Sequence, residues 1–101
     1  MKLTFSPRAK DDLMEIAVFI AHDNPERALR FVDELEGKCH ALGASPGIGT
    51  PRPELGKGVK MLPYGRYVIF YREANKGVRI ERIMHGARDI GGDDVEGPDP
   101  H

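Results

Sequence analysis

Apolar residues recur at helical spacing through the first half of the chain and at strand spacing through the second half. Ala9, Leu13, Ile16, Ala17 and Ile20 fall on one stripe of an amphipathic helix. Ser6 followed by Pro7 supplies an N-cap and a first helical residue whose missing N–H costs nothing. The pattern predicts a helix over residues 7–22, with Asp11 and Asp12 suited to the positive end of its dipole. Asn24, Pro25 and Glu26 then restart the helical signal. Ala28, Phe31, Val32, Leu35, Cys39 and Leu42 line one face of this second helix, and Gly43 is a stop. A turn this short predicts an antiparallel helical hairpin. Gly37 interrupts the second helix at a cost of about 1 kcal/mol relative to Ala.

Residues 44–58 hold three Pro and four Gly and are expected to form an irregular loop. Strands are predicted over 2–5, 59–62, 66–72 and 78–85, with Gly77 closing the turn between the last two. Within 66–72, Tyr67, Ile69 and Tyr71 point one way and Val68 and Phe70 the other, so this strand should be central. Alternation in the last strand fails after Glu81, and a bulge or a change of environment near Arg82 would explain it. The expected fold class is α+β, in the order βααβββ, with the hairpin packed on one face of a small, mostly antiparallel sheet. The face carrying Tyr67, Ile69 and Tyr71 is expected to be incompletely covered and to need a partner. Residues 1–89 read as one domain, and 90–101 as an acidic, disordered tail.

Charge changes the picture. The net charge is −1, yet residues 52–88 carry nine Lys or Arg against three Glu, and residues 89–101 carry five acidic residues and no basic one. Such polarity points to an acidic partner for the middle of the chain. One cysteine, Cys39, allows no internal disulfide and fits a reducing cytoplasm. No apolar run approaches the roughly 20 residues of a membrane span, and the N-terminus has no signal-peptide pattern. No membrane association is expected.

The four histidines are scattered without ligand spacing, so no metal is expected, and no cofactor. Gly47-Ile-Gly49 and Gly56-Lys-Gly58 lack the ending of a phosphate loop and read as turns. Arg66, Arg72, Arg82, His85 and Arg88 fall on or just beyond neighbouring strands. They allow several readings. They are solvated or ion-paired with Glu73, Glu81 or Asp89. Alternatively they grip phosphate, cleave RNA without metal, or meet an acidic protein. In the cleavage reading Arg66, Arg82 and His85 must converge on one site. His85 is otherwise a hydrogen-bonded anchor of the strand end, and Arg82 an ion-paired break in apolar parity.

From Leu3 to Asp89 the chain resembles the ParE branch of the RelE/ParE toxin superfamily. The resemblance rests on Leu3-Thr-Phe-Ser-Pro7, Phe19-Ile20, Asp23-Asn-Pro-Glu-Arg-Ala28, Arg52-Pro-Glu-Leu55, Tyr64-Gly-Arg-Tyr-Val-Ile-Phe-Tyr-Arg72 and His85-Gly-Ala-Arg-Asp89. It implies a toxin of a type II toxin–antitoxin pair, bound by a cognate ParD-like antitoxin in a hetero-oligomer, with DNA contacted only through the antitoxin. The antitoxin would cover the hairpin and part of the sheet, with Phe19, Tyr64, Tyr67 and Tyr71 as its contacts. The resemblance also implies growth inhibition through DNA gyrase, for which Arg82, His85 and Arg88 are the target-binding candidates. The RelE-like branch cleaves ribosome-bound mRNA instead, and its basic cluster ends in a Tyr or His; no Tyr follows His85 here.

Overall fold

The computed structural model describes residues 2–74 and 77–86. Strand β1 (Lys2–Phe5) leads into helices α1 (Pro7–Asp23) and α2 (Pro25–Ala44), followed by strands β2 (Thr50–Pro51), β3 (Lys60–Tyr64), β4 (Tyr67–Ala74) and β5 (Gly77–His85). The sheet order is β1-β5-β4-β3-β2, and β1 alone of the paired strands runs parallel to its neighbour. The α+β hairpin-on-sheet architecture follows the sequence pattern. The stretch expected to be irregular throughout carries a fifth, two-residue strand, β2, and 3-10 turns at Pro46–Ile48 and Pro53–Leu55.

Both helix starts form as their residues dictate. Ser6 Oγ accepts the Ala9 N–H at 3.0 Å, and Asn24 Oδ1 accepts the Arg27 N–H at 3.1 Å. The Ser6 hydroxyl also donates to the Glu81 carbonyl at 2.7 Å, tying the first turn of α1 to β5.

The core forms between the hairpin and the sheet. Ala9, Phe31, Leu35, Cys39 and Leu42 meet Ile69, Tyr71, Val78, Ile80 and Ile83. The sheet face bearing Ile69 and Tyr71, expected to want a partner, is therefore filled by the protein's own helices. On the opposite face Leu55 and Val59 fold over Phe70 and Met84. A loop thus supplies the second cover, because its two apolar side chains can be buried only there.

The bulge lies where alternation fails. Phe70 pairs with Arg82 but Tyr71 pairs with Ile80, leaving Glu81 as the extra residue of β5. That shift lets Val78, Ile80 and then Ile83 all reach the helix-side core. Glu81 lies 2.9 Å from Arg72 Nε and 3.3 Å from Arg79 Nε, a nearly buried ion-paired group.

The β1 pairing with β5 ends at Phe5–Ile80. Beyond it, side chains take over the strand's edge. Asp12 Oδ2 accepts the Ile83 N–H at 3.0 Å, and the same carboxylate holds Arg82 through Nε at 2.7 Å and Nη2 at 2.9 Å. Asp12 does not serve the helix dipole: it is buried and lies outside the first turn of α1.

Candidate functional site: an aromatic cleft beside an apolar hairpin

The two-residue turn between β3 and β4 is Gly65-Arg66, flanked by the paired Tyr64 and Tyr67. Gly65 has φ +58°, a left-handed conformation that a side chain would strain. This turn faces the junction of the two helices. Phe19 from α1, Arg27 and Glu34 from α2, and Tyr64, Arg66 and Tyr67 from the turn enclose a cleft of about 690 Å³.

Phe31 forms its floor. Its ring centroid lies 5.3 Å from that of Tyr67, edge-on at 62°, and 6.0 Å from that of Tyr64. Tyr67 in turn meets His85 at 5.5 Å and 78°. The Tyr64 hydroxyl donates to Glu34 Oε2 at 2.9 Å. Desolvation, then the bond to Glu34 and its negative charge, hold the Tyr64 phenol above its ordinary pKa, so it stays a donor. The result is an aromatic cleft lined by two cations, Arg27 and Arg66, and by a carboxylate already engaged.

The outer face of the hairpin is apolar as well. Met14, Val18, Phe19 and Leu29 are between 60% and 74% exposed. Met14 also lines a second groove of about 310 Å³, where Phe5, Leu13 and Val32 face Lys10 and Glu36. Surface this apolar on so small a protein marks an interaction face.

The sequence-predicted residues divide between these places. Phe19, Tyr64, Tyr67 and Arg66 line the cleft, and His85 stands exposed beside it against Tyr67. Arg82 does not join them. It is buried and committed to Asp12 on α1, so its parity break reflects an ion pair. Arg66, Arg82 and His85 therefore do not converge on one open site.

Tyr71, expected as an antitoxin contact, is fully buried. Its hydroxyl donates to the Pro46 carbonyl at 2.8 Å and accepts the Gly49 N–H at 2.8 Å, which pins the loop. Arg88 and the tail lie outside the described residues.

Arg27, Phe31 and Glu34 were not singled out as site residues from the sequence. Their spacing of four and three residues places all three on one side of α2, a signal that the apolar stripe alone does not register. Among the described residues no group of three or more His, Cys, Asp or Glu is placed to hold a metal ion, and no helix is long and apolar enough to cross a membrane.

Comparison with known proteins agrees with this architecture. Toxin ParE1 of Caulobacter vibrioides is 34% identical over 83 residues, spanning 79% of this chain and 83% of that protein. A chain from the structure described as the chromosomal ParDE TA system from P. aeruginosa superposes with a TM-score of 0.70 at 26% identity, covering 84% of this chain and 95% of that one. Residues 3–90 match the profile of the family described as the ParE toxin of the type II toxin–antitoxin system parDE. The chain thus belongs to the ParE toxin family of type II toxin–antitoxin systems.

Proposed function

We propose that this toxin acts by binding rather than by catalysis, that its target is DNA gyrase, and that a ParD-like antitoxin neutralises it in the cytoplasm. The observation that carries the antitoxin half is the uncovered apolar face of the hairpin, Met14, Val18, Phe19 and Leu29, beside the aromatic cleft. A partner segment laid across it would bury large apolar side chains at the centre of the contact, where binding energy concentrates. The basic rim at Arg27 and Arg66 favours acidic side chains in that segment.

The binding reading is favoured over RNA cleavage because Arg82 is withdrawn into a buried ion pair. The cleavage reading needs that guanidinium beside the reacting phosphate. Gyrase as target comes from kinship with ParE toxins.

Purified protein added to gyrase supercoiling and ribosomal mRNA-cleavage assays separates these readings. Blocked supercoiling with intact mRNA is expected, and addition of the cognate antitoxin should relieve the block. Codon-associated mRNA cuts with normal supercoiling would replace the proposal with the ribonuclease reading.

A further inference from the structure

The sheet ends in β1 on one side and β2 on the other, and the two edges differ in what they leave unpaired. β2 has only two residues, and its Pro51 has no N–H to offer, so that edge is blunted. β1 is longer and pairs only with β5.

The ladder fixes which β1 groups are spare. The Ser6 N–H reaches the Ile80 carbonyl at 2.9 Å. Alternate residues of a parallel strand bond the same neighbour, so the backbone groups of Thr4 share the side of Ser6 and face β5. The N–H and C=O of Leu3 and Phe5 therefore point away from the sheet. They bond no other described residue. The Leu3 and Phe5 side chains pack against the helix-side core, while Thr4 is exposed on the other face. Unpaired edge groups of this kind are a template for another strand.

We propose that β1 pairs with β1 of a second copy, antiparallel about a two-fold axis through Thr4, joining two five-stranded sheets into one. In this register Leu3 lies opposite Phe5 of the second copy, and Phe5 opposite its Leu3. Both are hydrogen-bonded pairs, which exchange N–H···O bonds in both directions and use every spare group of the two residues. Thr4 meets its own copy at the axis. Apolar side chains thus face apolar ones and hydroxyl faces hydroxyl, combinations that favour cross-strand contact.

A contact of this symmetry needs a surface that complements itself. The groove of about 310 Å³ beside Phe5, with Leu13, Met14 and Val32 in its wall, carries one cation, Lys10, and one anion, Glu36. Neither is ion-paired among the described residues. Two copies can oppose these unlike charges, whereas a groove of one sign would repel its own copy. A net charge of −1 adds little repulsion between copies. The apolar groove supplies area to bury, and the backbone bonds set the register. No β1 residue lines the aromatic cleft, so the pairing leaves that cleft open and stands apart from the antitoxin reading.

The test is sedimentation of the purified full chain across micromolar concentrations, where the parent should dimerise. Thr4 is exposed, so substitutions there spare the fold. Thr4→Lys and Thr4→Glu each put like charges together at the axis and should each weaken dimerisation about fivefold or more. Mixing the two variants should restore it, because the axis then joins opposite charges. Amide exchange followed by NMR should slow at Leu3 and Phe5 as concentration rises. Exchange at Thr4, whose N–H already faces β5, should not change. A monomer at every concentration would overturn the proposal. Slowing at Leu3 and Phe5 only when the antitoxin is added would overturn it too, by giving the edge to that partner. A dimer that both Thr4 variants leave intact, or that their mixture fails to restore, would overturn the β1 register.

Discussion

Asp12 holds Arg82 by two charge-assisted hydrogen bonds and, through the same carboxylate, takes the N–H of Ile83 where β1 no longer covers the edge of β5. One acid thus neutralises a buried cation and stands in for a missing strand. The two side chains come from positions 70 residues apart, so the pair joins α1 to the sheet. It also removes from solvent the arginine that a ribonuclease reading would need.

Arg82→Ala is expected to destabilise the fold by about 3–5 kcal/mol, because the Asp12 charge stays buried without its partner. Toxicity should fall with the amount of folded protein. Denaturant unfolding of the purified variant checks this; a loss of toxicity at parental stability would instead make Arg82 a direct target contact.

Phe19→Asp places a charge on a side chain that is 74% exposed. The melting temperature should hardly move, while antitoxin affinity should drop at least tenfold, about 1.4 kcal/mol. Calorimetric titration beside a thermal melt measures both. Unchanged affinity would remove Phe19 from the antitoxin surface.

Gly49→Ala should be destabilising by about 1–3 kcal/mol. A Cβ there runs into the Tyr71 hydroxyl, which is already fixed between Pro46 and Gly49. Tyr71→Phe should cost a comparable amount, since the buried Gly49 N–H loses its acceptor. Urea unfolding of both variants and of their double mutant tests whether the two effects are coupled.

Gly37→Ala should act in the opposite direction. A Cβ at this exposed helical position meets nothing within 4 Å. The helix should gain about 0.5–1 kcal/mol from the lower entropy of the unfolded chain. A denaturant midpoint shifted upward at constant slope is the expected readout.

Burial, aided by the charge of Glu36, pushes the Cys39 thiol up from 9.0 to about 12. A pKa raised in the folded state means that its stabilising contribution is complete below pH 9.0 and disappears as pH rises toward 12. The parent should lose stability between pH 9 and 11 faster than Cys39→Ala does, as followed by unfolding curves across that range. The thiol should also resist alkylation at neutral pH until the protein unfolds.

The elements were legible in the sequence because they depend on neighbours. Ser6-Pro7 and Asn24-Pro25 start helices through bonds to residues three positions on, and the apolar stripes set which faces pack. The break in alternation after Glu81 was visible too. That it is a bulge was decided by the structure, which buries Ile80 and Ile83 on one face with an extra residue between them. Family kinship was legible too, in the run from Tyr64 to Arg72 and its flanking motifs.

Relationships between distant residues were left open by the sequence. Asp12 looks like a helix-start acid until the end of β1 exposes the Ile83 amide, and only then does it become the partner of Arg82. Tyr71 looks like a strand aromatic free for a partner until the 46–49 loop folds over its hydroxyl. Arg27 and Glu34 look like solvated helix charges until the Tyr64–Tyr67 turn is brought opposite them. Local periodicity determines which residues form helices and strands and which faces are apolar. Which charges meet, and which aromatic side chains remain open to a partner, depends on chain segments 20 to 70 residues apart, so tertiary packing alone decides it.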